Sequence, residues 1–239
     1  MMTMQTFPIS TAAPLSGISS MATRQLLAEL TSAYVQRSSQ AVVIESVGGV
    51  DAARRVQAGE AVDLVILAAD AMAKLIAAGH LRADSLTPLV FSGVAVAVPA
   101  GRPLPDISSE DAVRQAVLAA PTLSYSTGPS GVALAKMFER WGIAEQIKER
   151  IVTAPPGVPV GSLVAKGEVA LGFQQLSELI HVDGITIVGP LPSAIQITTT
   201  FSAAMTTGCT RPAQVQALLD FMASPEAAQA KQRQGMEPA

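Results

Sequence analysis

The densest set of groups able to hold a small anion is Ser124-Tyr125-Ser126-Thr127-Gly128-Pro129-Ser130-Gly131, with four aliphatic hydroxyls, a phenol and two glycines. Hydroxyls donate to an oxyanion or carboxylate, and a glycine lets a ligand reach main-chain N–H groups that a Cβ would shield. Apolar residues precede this stretch and a helical period follows it, so it sits where a strand turns into a helix. A helix N-terminus offers unpaired N–H groups and a partial positive charge. An ordinary capped turn would use the same residue types, and both readings stand for this loop taken alone. Pro14-Leu15-Ser16-Gly17 and Val47-Gly48-Gly49-Val50 have the same character more weakly. Three such loops at three expected strand ends favour a ligand cradle over three coincidental turns. Pro155, Pro156, Gly157, Pro159 and Gly161 open a fourth helix in a stiff connector.

Other chemistry is sparse. Gln174 and Gln175 end the apolar run from Val169 to Phe173, where a side-chain amide could donate to a carboxylate or simply begin a solvated helix. His80 and His181 follow expected helix ends, where the dipole favours them without any catalytic role. Cys209 lies in a polar stretch and reads as an inert, half-buried thiol; Asp63 opens a buried strand and reads as a capping residue. One cysteine and two histidines exclude a disulfide framework and leave little for a transition metal, so no cofactor and no metal are expected. Sixteen basic residues against nineteen acidic ones, scattered, give a net charge of −3 and no surface suited to nucleic acid. The first twenty residues contain no Lys or Arg and are interrupted by Pro8 and Pro14, so no export signal is visible. The expectation is a cytoplasmic location as written, or a periplasmic one if a signal had been removed. Apolar runs such as Leu64 to Ala69 and Val94 to Ala100 are strand-sized, so no membrane insertion is expected.

The elements that must position these loops follow an α/β pattern. At 239 residues, with 49% hydrophobic and 15% charged residues and a mean hydropathy of +0.38, the chain can bury a sizeable core. Short β-branched runs alternate with longer helical periods, as in a parallel sheet with crossover helices. Strands are predicted at 7–11, 41–46, 63–67, 93–99, 122–125, 168–173, 185–188 and 195–205. Helices are predicted from Ile18 to Tyr34 and at 50–58, 70–78, 160–166, 212–222 and 225–233, with another following the Gly-rich loop to Trp141. Breaks at Gly101 to Pro105 and at Gly189-Pro190 divide the pattern into two lobes, residues 1–92 with 190–239 and residues 93–189.

Four segments resemble a known family over nearly the whole chain. They are Ala12-Ala13-Pro14-Leu15-Ser16, the run from Arg54 to Ile66, Val94 to Pro99, and Gly167-Glu168-Val169-Ala170-Leu171-Gly172. Together they resemble the molybdate-binding branch of the type II periplasmic-binding-protein fold. The resemblance implies two α/β lobes joined by two crossing strands near 90–98 and 189–199, with an anion clamped in the cleft by loop hydroxyls and N–H groups. Pro14 and the Gly48-Gly49 region stand where molybdate binders place serines, and Gln174 or Gln175 stands where they offer a tyrosine, which suits a planar carboxylate. With the C-terminal Gly235-Met236-Glu237-Pro238-Ala239, this resembles the aconitate isomerase subgroup.

What that resemblance implies is a cofactor-free isomerase of a small unsaturated di- or tricarboxylate, moving a double bond by a 1,3 proton shift. Catalysis is then expected from Ser16, Tyr125 or a hydroxyl of the Ser126 to Ser130 loop, acting with a lowered hydroxyl pKa. Substrate contacts are expected from Leu15, Ser16, Gly48, Gly49, Ser126, Thr127, Gly128, Ser130, Gly131 and Gln174. The alternative is a solute-binding protein that delivers a molybdate-like oxyanion or an organic acid to an ABC-type permease, and a ligand sensor is a third reading.

Overall fold

The computed structural model describes residues 13–155 and 157–239. The first strand, β1, is Leu15–Ser20, followed by a tight turn Met21–Thr23 and α1, Arg24–Ser38. Then come β2 (Val42–Val47), α2 (Gly49–Gln57), β3 (Leu64–Ala68), α3 (Ala69–Ala77) and the long β4 (Thr87–Pro99). The middle of the chain forms α4 (Glu110–Ala119), β5 (Leu123–Tyr125), α5 (Pro129–Arg140), α6 (Ala144–Ile147), α7 (Val160–Ala165), β6 (Leu171–Gln175), α8 (Leu176–Leu179) and β7 (Ile185–Pro190). The chain finishes with β8 (Thr198–Met205), α9 (Pro212–Ala223), α10 (Ala228–Arg233) and β9 (Met236–Pro238).

Two α/β lobes share β4. In the first, β2, β1 and β3 are parallel, β8 runs antiparallel between β3 and the first half of β4, and β9 closes the edge antiparallel to β4. In the second, β5 is parallel to β6, while the second half of β4 lies antiparallel between β6 and β7. The sheets are therefore mixed, and the expected all-parallel arrangement holds only for β1 to β3 and for β5 with β6. Each sheet is covered on both faces. Leu26, Leu30, Leu219 and Met222 lie on one side of the first and Val56, Met72 and Leu75 on the other; Phe138 and Val117 lie on one side of the second and Val160 and Val164 on the other.

Several expected boundaries move for identifiable reasons. The predicted strand at 7–11 lies outside the described residues. The predicted loop Pro14-Leu15-Ser16-Gly17 is the start of a strand, because pairing with β2 and β3 on both sides outweighs its local turn chemistry. Gly17 serves close packing there, since a Cβ would lie 2.9 Å from Leu64 Cδ2. Leu191 and Ile195 pack with the second lobe's core. The chain thus passes back between lobes at 197–198, where Val94 N bonds Ile197 O at 3.2 Å, and not at Gly189-Pro190.

Candidate functional site

Parallel strands deliver their helix N-termini to one edge of each sheet, and in open α/β sheets that edge holds ligands. On the first lobe the edge is built from the ends of β1 and β2. Ser19 Oγ and Ser46 Oγ meet at 2.7 Å, tying the two strand ends together, and Ser20 Oγ accepts from Ala22 N at 3.4 Å. A Cβ on Gly49 would lie 3.5 Å from Ser20 Oγ, so the turn after β1 and the start of α2 adjoin. Gly48 caps α2 without any side-chain bond to its first turn among the described residues. Gly48 and Gly49 thus stand at the turn from β2 into α2, where Gly49 adjoins Ser20 and Gly48 is open.

Ser16 and Leu15 are not there. Ser16 is the second residue of β1, four residues and about 13 Å of extended chain from Ser20. Its N–H and Oγ both donate to Asp63 Oδ2, at 2.8 and 3.1 Å, and Arg211 Nη2 donates to the same oxygen at 2.6 Å. Burial pushes the Asp63 carboxyl up, but the bonds from Ser16 and Arg211 outweigh it and hold the group below its usual range. Leu15 is fully buried in the core. The expected catalytic and binding roles of Ser16 and Leu15 therefore give way to structural ones, because the strand carries them to the opposite end of the sheet.

On the second lobe, the segment after β5 folds back over the start of α5. Ser126 Oγ and Ser130 Oγ meet at 3.0 Å, Gly128 caps α5, and Thr127 is exposed. Gly131 does something other than admit a ligand: a Cβ there would fall 1.5 Å from the Ser126 carbonyl oxygen, so the chain itself occupies the space. The Tyr125 ring stacks edge-on to Phe138 at a centroid distance of 5.7 Å. Burial, with the Glu139 charge adding to it, pushes its phenol up, the reverse of the lowered value that a tyrosine base would need. Tyr125 at neutral pH is a proton-bearing donor.

Gln174 and Gln175 end β6 with their amides turned to opposite sides, as strand alternation requires. Gln174 is committed within its own lobe: its Oε1 accepts from Gly161 N at 3.0 Å and its Nε2 donates to Glu178 Oε1 at 2.9 Å. Both its amide oxygen and one of its two amide N–H groups are thus engaged by protein groups, which leaves a single N–H for the expected Gln174 contact. Gln175 instead reaches the crossing strands, meeting Thr199 Oγ1 at 2.9 Å, and with its nitrogen turned toward β4 it donates to Ser92 O at 3.0 Å.

Two residues of this site escape a reading of the sequence. Ser20 is hidden because a helix is expected from Ile18, whereas a strand ends at this serine; the signal that could have found it is Ser20 followed by Thr23, whose Oγ1 donates back to Ser20 O at 3.0 Å in a capping turn. Glu178 is half-buried, and burial, only partly offset by the Gln174 amide, pushes its carboxyl up to about 7. No local pattern marks it. Next to it, Ser177 Oγ donates across the lobes to Ala22 O at 2.8 Å, and a little further on His181 Nε2 lies 2.6 Å from Gln234 Oε1, whose amide donates to Glu29. The seam between lobes is thus closed by polar contacts on α8 and just after it. Among the described residues no three of His, Cys, Asp and Glu gather as a metal-ligand group, and no helix is long and apolar enough to cross a membrane.

Two α/β lobes on two crossing strands, with hydroxyl- and glycine-lined helix starts at the strand ends, define a periplasmic-binding-protein fold of type II. The chain belongs to the bacterial extracellular solute-binding protein family, whose sequence model matches residues 15–237. It is 41% identical over 187 residues to a Pseudomonas protein named aconitate isomerase, an alignment covering 77% of this chain and 70% of that one. Among solved structures it resembles the periplasmic molybdate-binding protein of Azotobacter vinelandii, with a TM-score of 0.77, 20% identity and coverage of 93% of this chain and 98% of that one. It also resembles a sulfate-binding protein of Mycobacterium tuberculosis, with a TM-score of 0.77, 16% identity and coverage of 95% and 88%. At those identities the two structures speak for the fold alone.

Proposed function

We propose that this protein is an isomerase of a small unsaturated di- or tricarboxylate, binding its substrate between the lobes and shifting the double bond by a 1,3 proton transfer. The observation that carries this reading is the 41% identity to aconitate isomerase across most of the chain, well above the similarity to any oxyanion binder named above. The geometry is compatible with it. Ser20, Gly48 and Gly49 on one edge and Ser126, Thr127, Gly128 and Ser130 on the other offer hydroxyls and N–H groups spread over both lobes, which suits several carboxylates better than one compact oxyanion. Hydrogen bonds to charged partners of this kind contribute about 1.5–3 kcal/mol each. Donors fixed around a substrate carboxylate also favour the enolate-like intermediate of an allylic proton shift, where negative charge moves onto that carboxylate. The family match supports a second reading, a receptor delivering a small anion to an ABC-type permease.

The test is incubation of the purified protein with cis- or trans-aconitate, followed by chromatography of the isomers, beside calorimetric titration with molybdate. Interconversion to a common ratio is the expected result. Tight molybdate binding by a protein inert toward unsaturated polycarboxylates establishes the receptor reading in its place.

A further inference from the structure

An allylic proton shift needs one group that takes a proton from carbon and returns it, and two of the expected hydroxyls are ill suited, because Ser16 lies at the far end of β1 and Tyr125 holds its proton. We propose that Glu178 is the proton-transferring residue of the isomerisation, an assignment that rests on the isomerase reading above.

Three features of its surroundings lead there. The first is position. Glu178 follows Ser177 directly on the single turn of α8, and Ser177 bonds Ala22 across the lobes, beside Ser20 and Gly49. Glu178 therefore belongs to the segment of the second lobe that packs on the Met21–Thr23 turn, next to Ser20.

The second is its one bond. Gln174 Nε2 donates to Oε1, and Gln174 is itself locked by Gly161 N on its oxygen, so the amide cannot turn away without breaking both contacts. Oε2 has no protein partner among the described residues, which leaves one oxygen of a fixed carboxylate available.

The third is charge isolation. Of the elements packed on α8, β4, β6 and the Met21–Thr23 turn carry no titratable side chain, nor does α7, which supplies Gly161, and the turn at Gly235 lies against Leu176. Further off, His181 is engaged with Gln234, Arg233 pairs with Glu29, and Lys231 on α10 is buried without affecting Glu178. Every other carboxyl with a clear departure from its ordinary value moves down, drawn by cations or hydrogen-bond donors, and this one alone moves up, to about 7. A base poised there divides its time between both protonation states at neutral pH, as a group that must both take and give a proton should.

The chemistry balances without a co-reactant. The Glu178 carboxylate removes a proton from the saturated carbon of the allylic unit, and that C–H pair spreads over the allylic carbons and the adjoining substrate carboxylate. The protonated Glu178 then delivers a proton to the far carbon, the double bond re-forms one position along, and the carboxylate is regenerated. Nothing is oxidised or reduced.

The experiment compares wild type, Glu178→Gln and Glu178→Asp. With trans-aconitate, the Gln variant is expected to keep its melting temperature and bind within about threefold of wild type while kcat falls by about 10²–10⁴, the usual contribution of a general base. The Asp variant should retain measurable turnover. In the ligand-free protein, a carbon NMR difference between wild type and the Gln variant should show one carboxyl titrating near 7, and kcat should rise through that pH in wild type. An active wild type whose Gln variant keeps its rate overturns the assignment alone, as does a Glu178 carboxyl titrating in the ordinary range. A wild type inert toward every unsaturated polycarboxylate overturns the isomerase reading and this assignment with it.

Discussion

Replacing Gly131 by alanine should damage the fold of the second lobe, whereas the same change at Gly128 should be almost silent in stability. The new Cβ at 131 would sit 1.5 Å from the Ser126 carbonyl oxygen and 2.6 Å from its carbon. Real Cβ atoms essentially never approach closer than 3.0 Å, so the loop must open by at least 1.5 Å. That movement separates Ser126 Oγ from Ser130 Oγ, now at 3.0 Å, beyond hydrogen-bonding range. Forced overpacking costs about 1–3 kcal/mol, and the lost hydroxyl bond adds about 1 kcal/mol. For a protein of this size each kcal/mol lowers Tm by about 2–4 °C, so the expected fall is roughly 5–15 °C. At Gly128 the nearest atom to a Cβ is Ser126 Oγ at 3.9 Å and φ is −81°, which any residue adopts. Scanning calorimetry of both variants is the assay. Should Gly131→Ala melt with the wild type, the close fold-back of this loop over α5, and the placing of Ser126 and Ser130 that depends on it, would be refuted.

Other outcomes follow from the same geometry. Ser20→Ala should weaken trans-aconitate binding by about five- to tenfold with little change in Tm, whereas Ser16→Ala should lower Tm and leave turnover intact; turnover lost in Ser16→Ala would return that residue to the site. Asp63→Asn leaves Arg211 without its buried partner and should cost about 2–4 kcal/mol near neutral pH by chemical denaturation. Because Asp63 has a folded value below its unfolded one, its contribution is present above the ordinary carboxylate range and is lost as pH falls through the folded value. The wild-type and Asn curves should therefore converge in acid, and a gap that persists there would contradict the ion-pair account.

Much of the architecture is legible in the sequence because β-branched runs and helical periods are local signals. Val42–Val47, Leu64–Ala68 and Pro212–Ala223 fall within a residue or two of their predicted bounds. The failures come from what is not local. β1 stands where a loop and a helix start were expected because Pro14 to Gly17 has turn chemistry, while the pairing that overrides it comes from β2 and β3, up to about fifty residues away. β4 runs longer than expected because it belongs to two sheets at once, with β8 and β9 as partners of one half and β6 and β7 of the other. α4 is absent from the predicted helices although its start carries a local signal: Ser109 accepts from Ala112 N at 3.1 Å, and Glu110 and Asp111 follow it in a first turn suited to the helix dipole.

For the candidate site, residue types single out strand-to-helix turns, but not how each side chain in them is engaged. The glycines at 48 and 49 and the hydroxyls at 126 and 130 stand at the turns from β2 into α2 and from β5 into α5, as Gly-rich strand-to-helix turns should. Whether a glutamine side chain points at a ligand or at its own scaffold depends on strand parity. A shift of one residue in β6 would exchange the roles of Gln174 and Gln175. Glu178 could not be singled out at all, since its character comes from uncharged β4, β6, α7 and the Met21–Thr23 turn, which only the fold assembles around it.

The most direct test of the isomerase account is proton NMR of trans-aconitate held with the purified protein in heavy water. The account predicts growth of the cis isomer together with deuterium entering the methylene position, since a proton taken up by a protein carboxyl exchanges with solvent before it returns. Persistence of the starting isomer, with its methylene protons undiminished at high protein concentration, would contradict it.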